Sequence, residues 1–99
     1  MMRAELLAAL KSAKGPDFNL DIALREFFDG RDEWLTHSLD AAISLVERVR
    51  PGCAWSVEHN MPKSDAKIWP VEGGCIQSTG AATPALALLI ALLSSETEQ

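Results

Sequence analysis

The sequence predicts a single α+β domain, in which a small antiparallel sheet packs with helices in the order α-α-α-β-β-(β)-α. Two observations lead to this prediction. Apolar residues recur with a helical period of about 3.6 as far as Val49, and with a period of about 2 after Pro51-Gly52. A further helical segment with strong start signals then begins at Thr83-Pro84.

The first helix is predicted at residues 2–14, where three leucines form one narrow apolar stripe: Leu6, Leu7 and Leu10. Gly15-Pro16 ends this helix. Because the stripe is narrow and terminal, we expect residues 1–16 to form a loosely attached helical arm. Residues 17–99 then form the single α+β domain.

The next two helices are predicted from their caps. A short helix runs over residues 20–29, with Asn19 as its N-cap, Asp21 in its first turn and Gly30 at its end. The third helix has the clearest start signal, because Ser38 precedes a helical apolar face that includes Leu39, Ala42, Ile43, Val46 and Val49.

The strands are predicted at residues 53–59 and 66–71, with a short third strand at 75–78. Turn residues separate them at 60–65 and 72–74. If Val57 pairs with Ile68, the register brings apolar residues together and joins unlike charges. The remaining predicted pairs are Trp55 with Pro70, His59 with Ala66, Glu58 with Lys67, and Ser56 with Trp69.

The last helix is apolar on every side over residues 85–93, so it must be covered nearly all round. One small sheet covers one side, and the other helices are expected to cover the sheet. We therefore expect the rest to be buried against another protein, most simply a second copy in a homodimer. The homodimer is expected to bury part of this helix or the Trp69 face of the hairpin. The candidate interface residues are therefore Trp69, Leu86, Leu89, Ile90 and Leu93. Alternatively, the first helix folds back over this surface and the chain stays a monomer.

The composition of the 99 residues, 47% hydrophobic and 23% charged, is that of a globular chain. Its net charge of −5 argues against nucleic acid or an anionic membrane as partner, and no Lys/Arg cluster along the sequence indicates a basic patch. The longest apolar run is shorter than the roughly 20 residues that span a bilayer. Two cysteines without a CxxC pair, and no signal-peptide pattern, predict a cytoplasmic chain with reduced thiols.

Three segments occur in a characteristic order: Ser38-Leu39-Asp40-Ala41-Ala42, Pro51-Gly52-Cys53-Ala54-Trp55, and Ala81-Ala82-Thr83-Pro84-Ala85-Leu86-Ala87-Leu88. Together they resemble the phage α-β-α sandwich domain of small bacteriophage and prophage proteins. The resemblance covers about residues 36–93 and rests on helix caps, a turn and a packing helix. It implies a small sheet between helices and a phage or prophage setting in a bacterial host cell. It brings no catalytic residues.

Four residues have the soft side chains that a metal or nucleophile site needs: Cys53, Cys75, His37 and His59. They lack the close spacing of a zinc site, so we predict no metal, no cofactor and two buried structural thiols. The sharpest enzyme hypothesis takes Cys75 as nucleophile and either histidine as base. A Cys53–Cys75 disulfide requires the first and third strands to be neighbours, and a reducing compartment disfavours it.

Asp29, Asp32 and Glu33, with Arg31 among them, lack the spacing of a calcium loop and indicate a solvated acidic loop. Gly73-Gly74 and Gly80 match no phosphate loop, and no small molecule is identifiable. The sequence thus favours a structural or protein-interaction domain without catalysis. The alternatives are a small Cys/His enzyme or metal protein, and an acidic inhibitor of a host protein.

Overall fold

The computed structural model describes residues 3–28, 35–60, 63–69 and 74–96. The elements in order are α1 (Arg3–Ser12), α2 (Phe18–Phe27), α3 (Leu39–Val49), β1 (Ala54–Asn60), β2 (Lys63–Trp69), β3 (Ile76–Ala81) and α4 (Pro84–Glu96). This arrangement confirms the predicted α+β class and element order, including the third strand, which extends three residues beyond the predicted end.

Two of the three predicted N-caps are confirmed. The Ser38 hydroxyl accepts a hydrogen bond from the Ala41 N–H at 3.2 Å, and the Thr83 hydroxyl accepts one from the Leu86 N–H at 3.1 Å. The prediction of Asn19 as the cap of α2 is wrong. The cap is Asp17, whose carboxylate accepts from the N–H groups of Asn19 and Leu20 at 2.8 and 3.1 Å. An ionised carboxylate is the stronger acceptor at the positive end of a helix.

The sheet is an antiparallel meander with strand order β1-β2-β3. Its register differs by two residues from the predicted one, because Val57 pairs with Ala66 and Trp55 pairs with Ile68. A shift of two residues keeps every side chain on its predicted face. The predicted register placed Pro70 opposite Trp55, and a proline lacks the N–H that a paired position needs.

The corrected register changes the charges that face each other. Glu58 lies opposite Asp65 rather than Lys67, and Lys67 lies opposite Ser56. The predicted cross-strand charge pair is therefore wrong. The Asp65 carboxylate instead accepts a hydrogen bond from the Gly80 N–H of β3 at 3.0 Å, which offsets part of the repulsion from Glu58.

The helices are stacked on one side of the sheet. α4 lies directly on all three strands, α1 and α3 pack on α4, and α2 packs on α1. Within the described residues, no helix covers the opposite face, where Glu58, Trp69 and Gln77 are exposed. The arrangement implied by the resemblance, with the sheet between helices, is therefore not seen in the described part of the chain.

α4 is covered almost completely by its own chain. Residues 85–93 are at most 5% exposed, and Leu6 and Leu10 of α1 are buried beside them. The premise that one side of this helix stays uncovered is wrong, because α1 and α3 pack on α4 instead of on the sheet. For the same reason α1 is part of the core rather than a loosely attached arm.

Candidate interaction surface

Among the residues that the structure describes, the two most exposed large apolar side chains lie on the outer side of α2. Phe18 is 60% exposed and Ile22, one helical turn later, is 49% exposed. Phe27 at the end of the helix is 37% exposed, and its ring packs edge-to-face against Phe28 at a centroid distance of 4.9 Å. We call Phe18 and Ile22 the α2 patch.

The buried side of α2 explains why the patch is held outward. Leu20, Ala23 and Leu24 are buried against the core, and α1 is the main neighbour of the helix. Since the apolar residues of α2 occupy more than one side of the helix, burying this set leaves Phe18 and Ile22 facing solvent. Contiguous exposed apolar side chains of this size often mark a binding surface.

A buried carboxylate fixes the first turn of α2 to the chain before α3. Asp21 is fully buried, and one of its oxygens accepts the backbone N–H of Thr36. Its other oxygen lies 2.6 Å from Nδ1 of His37. Because an ionised carboxylate can only accept, Nδ1 carries the proton in this contact. These two hydrogen bonds satisfy a carboxylate whose burial would otherwise cost several kcal/mol.

Thr36 makes a second connection between the same two segments. Its hydroxyl accepts the Asp17 N–H at 2.8 Å and donates to the Asp17 carbonyl at 3.2 Å. The His37 ring, oriented by Asp21, packs against the Phe18 ring at a centroid distance of 4.5 Å. Phe18 is therefore exposed but held in place by a network of polar contacts beneath it.

Sequence reasoning missed this network. The sequence predicts only that Asp21 is a favourable first-turn charge, which its position in α2 also satisfies. The available signal was its neighbourhood: Asp21 lies between Leu20 and Leu24, on the buried stripe of the helix. A charged residue on that stripe requires a buried partner, although the sequence does not say which.

The structure places the five predicted interface residues in two classes. Leu86, Leu89, Ile90 and Leu93 are buried within the chain, so they are not available to a partner of the folded monomer. Trp69 is 39% exposed and lies on the open face of the sheet. Of the five, Trp69 alone retains a surface that another protein could contact.

The cysteines and histidines lie in different surroundings from one another. Cys75 is exposed just before β3, which corrects the prediction that both thiols are buried. Cys53 is half-buried before β1, and desolvation raises the pKa of its thiol. Both thiols are free, and β2 separates the strands that follow them. His59 contacts the Ser64 hydroxyl at 2.6 Å, while His37 contacts Asp21.

Within the described segments, no group of three or more His, Cys, Asp or Glu residues could hold a metal ion. The acidic loop at residues 29–33 lies outside the described residues, as does Gly73. Across the described helices, none combines the length and the apolar character needed to cross a membrane.

Comparisons with protein-family models, with curated proteins and with solved structures gave no match for this chain.

Proposed function

We propose that this chain is a non-enzymatic protein-interaction domain that binds a second copy of itself through the α2 patch. The observation that supports the proposal is the exposure of Phe18 and Ile22 on a helix whose other side is anchored in the core. The setting we propose, a phage or prophage protein in the cytoplasm of a bacterial host, rests on the sequence motifs alone.

Two-fold pairing suits a patch of this kind because a self-complementary surface needs no second partner. Two α2 helices crossing at the patch bring Phe18 of one copy against Ile22 of the other. Large aromatic side chains supply much of the binding energy when a contact buries them. The Asp21–His37 contact holds the Phe18 ring in position before binding, which lowers the entropy lost on association.

The charge of the chain predicts how this association responds to salt. Each copy carries a net charge of −5, so two copies repel one another at long range. The patch itself is apolar, and salt screens the repulsion without weakening the apolar contact. We therefore expect the dimer to become tighter as salt is added, whereas a dimer held by ion pairs would become weaker.

Sedimentation equilibrium at micromolar concentration tests the proposal. The unchanged chain is expected to show a mass above the 10.8 kDa of one copy, and the double variant Phe18→Ser/Ile22→Ser is expected to show one copy only. Trp69→Ser is the matched control, since it removes an exposed large side chain from the other side of the molecule.

Each outcome of this experiment bears on the surface. Dissociation by the double variant but not by Trp69→Ser supports the α2 patch. Dissociation by Trp69→Ser alone would move the interface to the open face of the sheet. A mass of one copy at every concentration and salt level would overturn self-association.

A further inference from the structure

Three of the four lysines of this acidic chain meet at one groove. Lys11 lies in the last turn of α1, Lys14 follows that helix, and Lys63 begins β2. All three are exposed, and all three line a cavity of about 400 Å³ beside Gly80. Lys11 at the helix C-terminus also stabilises its own helix. We call this cavity, together with the second cavity described next, the lysine groove.

The groove continues into a second cavity of about 350 Å³, which shares Lys11 and Gly80 with the first. Ala81 and Ile90 give this part an apolar lining, while Ser78 and Gln77 add polar groups. The described residues that line the two cavities include no Asp or Glu. One end of the groove is thus lined by lysines, and the other end is mixed apolar and polar. Gly80, which both cavities share, donates its N–H to the Asp65 carboxylate at 3.0 Å.

Ser78 provides a second and independent observation. It is only 4% exposed, and its hydroxyl oxygen makes no hydrogen bond within the described chain. An unsatisfied buried hydroxyl costs about 1–3 kcal/mol, so it requires an explanation. Because Ser78 lines the groove, a ligand bound there could supply the missing partner.

The backbone is irregular where the two halves of the groove meet. β3 pairs Ser78 with Ala66 and Ala81 with Ser64, so two residues of β3 lie opposite the single residue Asp65 of β2. Gly80 within this bulge has a φ of +76°, and an added Cβ there would meet no atom within 4 Å. Glycine therefore allows the turn of the backbone rather than making space, and such bulges commonly reorient side chains beside binding sites.

We infer that the lysine groove binds a small organic phosphate. The three ammonium groups hold the phosphate, since lysine binds this group as a compact point charge. The organic part lies over Ala81 and Ile90, where the Ser78 hydroxyl hydrogen-bonds to it. The groove has the volume of a small-molecule site. A net charge of −5 disfavours a long polyanion, because the rest of the surface repels it.

Calorimetric titration at low ionic strength tests the inference, with adenosine monophosphate and inorganic pyrophosphate as probes. Saturable binding of one equivalent of adenosine monophosphate is expected. Lys63→Met is expected to weaken it at least about tenfold, the effect of losing one charge-assisted hydrogen bond. Lys67→Met is the matched control, because it removes the fourth lysine from the same strand at a cavity on the open face of the sheet.

Ser78→Ala separates a ligand contact from a structural role. The variant is expected to weaken adenosine monophosphate and leave pyrophosphate unchanged. Its melting temperature without ligand is expected to stay the same or rise, since a buried unsatisfied hydroxyl has been removed. A lower melting temperature with unchanged binding would assign Ser78 to the core and overturn its role in the site.

Four results would overturn the groove as an organic-phosphate site. The first is that neither probe binds saturably, and the second is that Lys63→Met and Lys67→Met lose equal affinity. The third is that glutarate, a dianion without phosphate, binds as tightly as adenosine monophosphate. The fourth is that pyrophosphate binds more tightly than the monophosphate. A single-stranded oligonucleotide is the remaining probe, and its tighter binding would reassign the phosphate to nucleic acid. None of these measurements depends on the α2 patch, so they can fail or succeed independently of self-association.

Discussion

α4 is the more apolar of the two helices α2 and α4, yet α2 is the one that exposes large apolar side chains to solvent. α4 has nine consecutive apolar residues and is buried along all of them, whereas α2 includes Asn, Asp, Arg and Glu and still exposes Phe18 and Ile22. α4 lies between the sheet and two helices, while α2 lies at the periphery of the helical layers. The apolar content of a helix therefore indicates how much apolar surface must be buried. Which part of that surface stays exposed depends on the neighbouring elements.

The most direct test of this difference in burial is to place the same charge on both helices. Leu89→Asp should unfold the domain, because an unpaired buried carboxylate costs several kcal/mol out of a total stability of about 5–15 kcal/mol. Ile22→Asp is the matched variant on α2, and at a protein concentration low enough to keep the chain monomeric it should change the free energy of unfolding by less than about 0.5 kcal/mol. Urea denaturation measures both, and similar losses would show that the two helices are equally buried.

A smaller effect is expected from the contact that anchors α2. Asp21→Ala leaves the Thr36 N–H without its acceptor and should cost about 1–3 kcal/mol in the free energy of unfolding. Asp40→Ala removes the same charge from the first turn of α3, but at an exposed position. It should cost at most about 1 kcal/mol, the usual value for a charge near a helix end. Equal losses, measured by urea denaturation, would contradict the anchoring role of Asp21.

The smallest expected effect is a difference in labelling rate between the two cysteines. It compares an exposed thiol with a half-buried thiol in the unchanged sequence. Exposed Cys75 should react with a thiol reagent faster than half-buried Cys53 at neutral pH. Burial raises the pKa of Cys53, so its reactive thiolate is scarce and its labelling should require more alkaline solution. Mass spectrometry after brief labelling gives the order, and faster reaction of Cys53 would contradict the described burial.

The helices and strands could be predicted from local sequence signals, but the order in which the helices stack on the sheet could not. Ser38 and Thr83 marked helix starts because a cap acts within three residues of itself. The position of α1 on α4 depends on contacts between the two ends of the chain, for which the sequence contains no local signal. The two-residue error in register has a similar origin, since either pairing keeps apolar residues on one face. The cross-strand charges favoured the wrong register, and Pro70 alone argued against it.

The candidate sites were less predictable than the fold. Asp21 and His37 are 16 residues apart, and neither belongs to a recognisable motif. Lys14 and Lys63 belong to different parts of the sequence, so no run of basic residues predicts a patch, although the structure brings both to the lysine groove. In both cases the chain topology brings the side chains together.

The central position of α4 has a consequence for how this protein is made on the ribosome. α4 contacts α1, α3 and all three strands, yet it follows every one of them in the sequence. Until residues 84–96 have been synthesised, the apolar surfaces that pack against α4 have no permanent cover. The emerging chain therefore carries them exposed, and we expect it to complete its core in one late step instead of element by element.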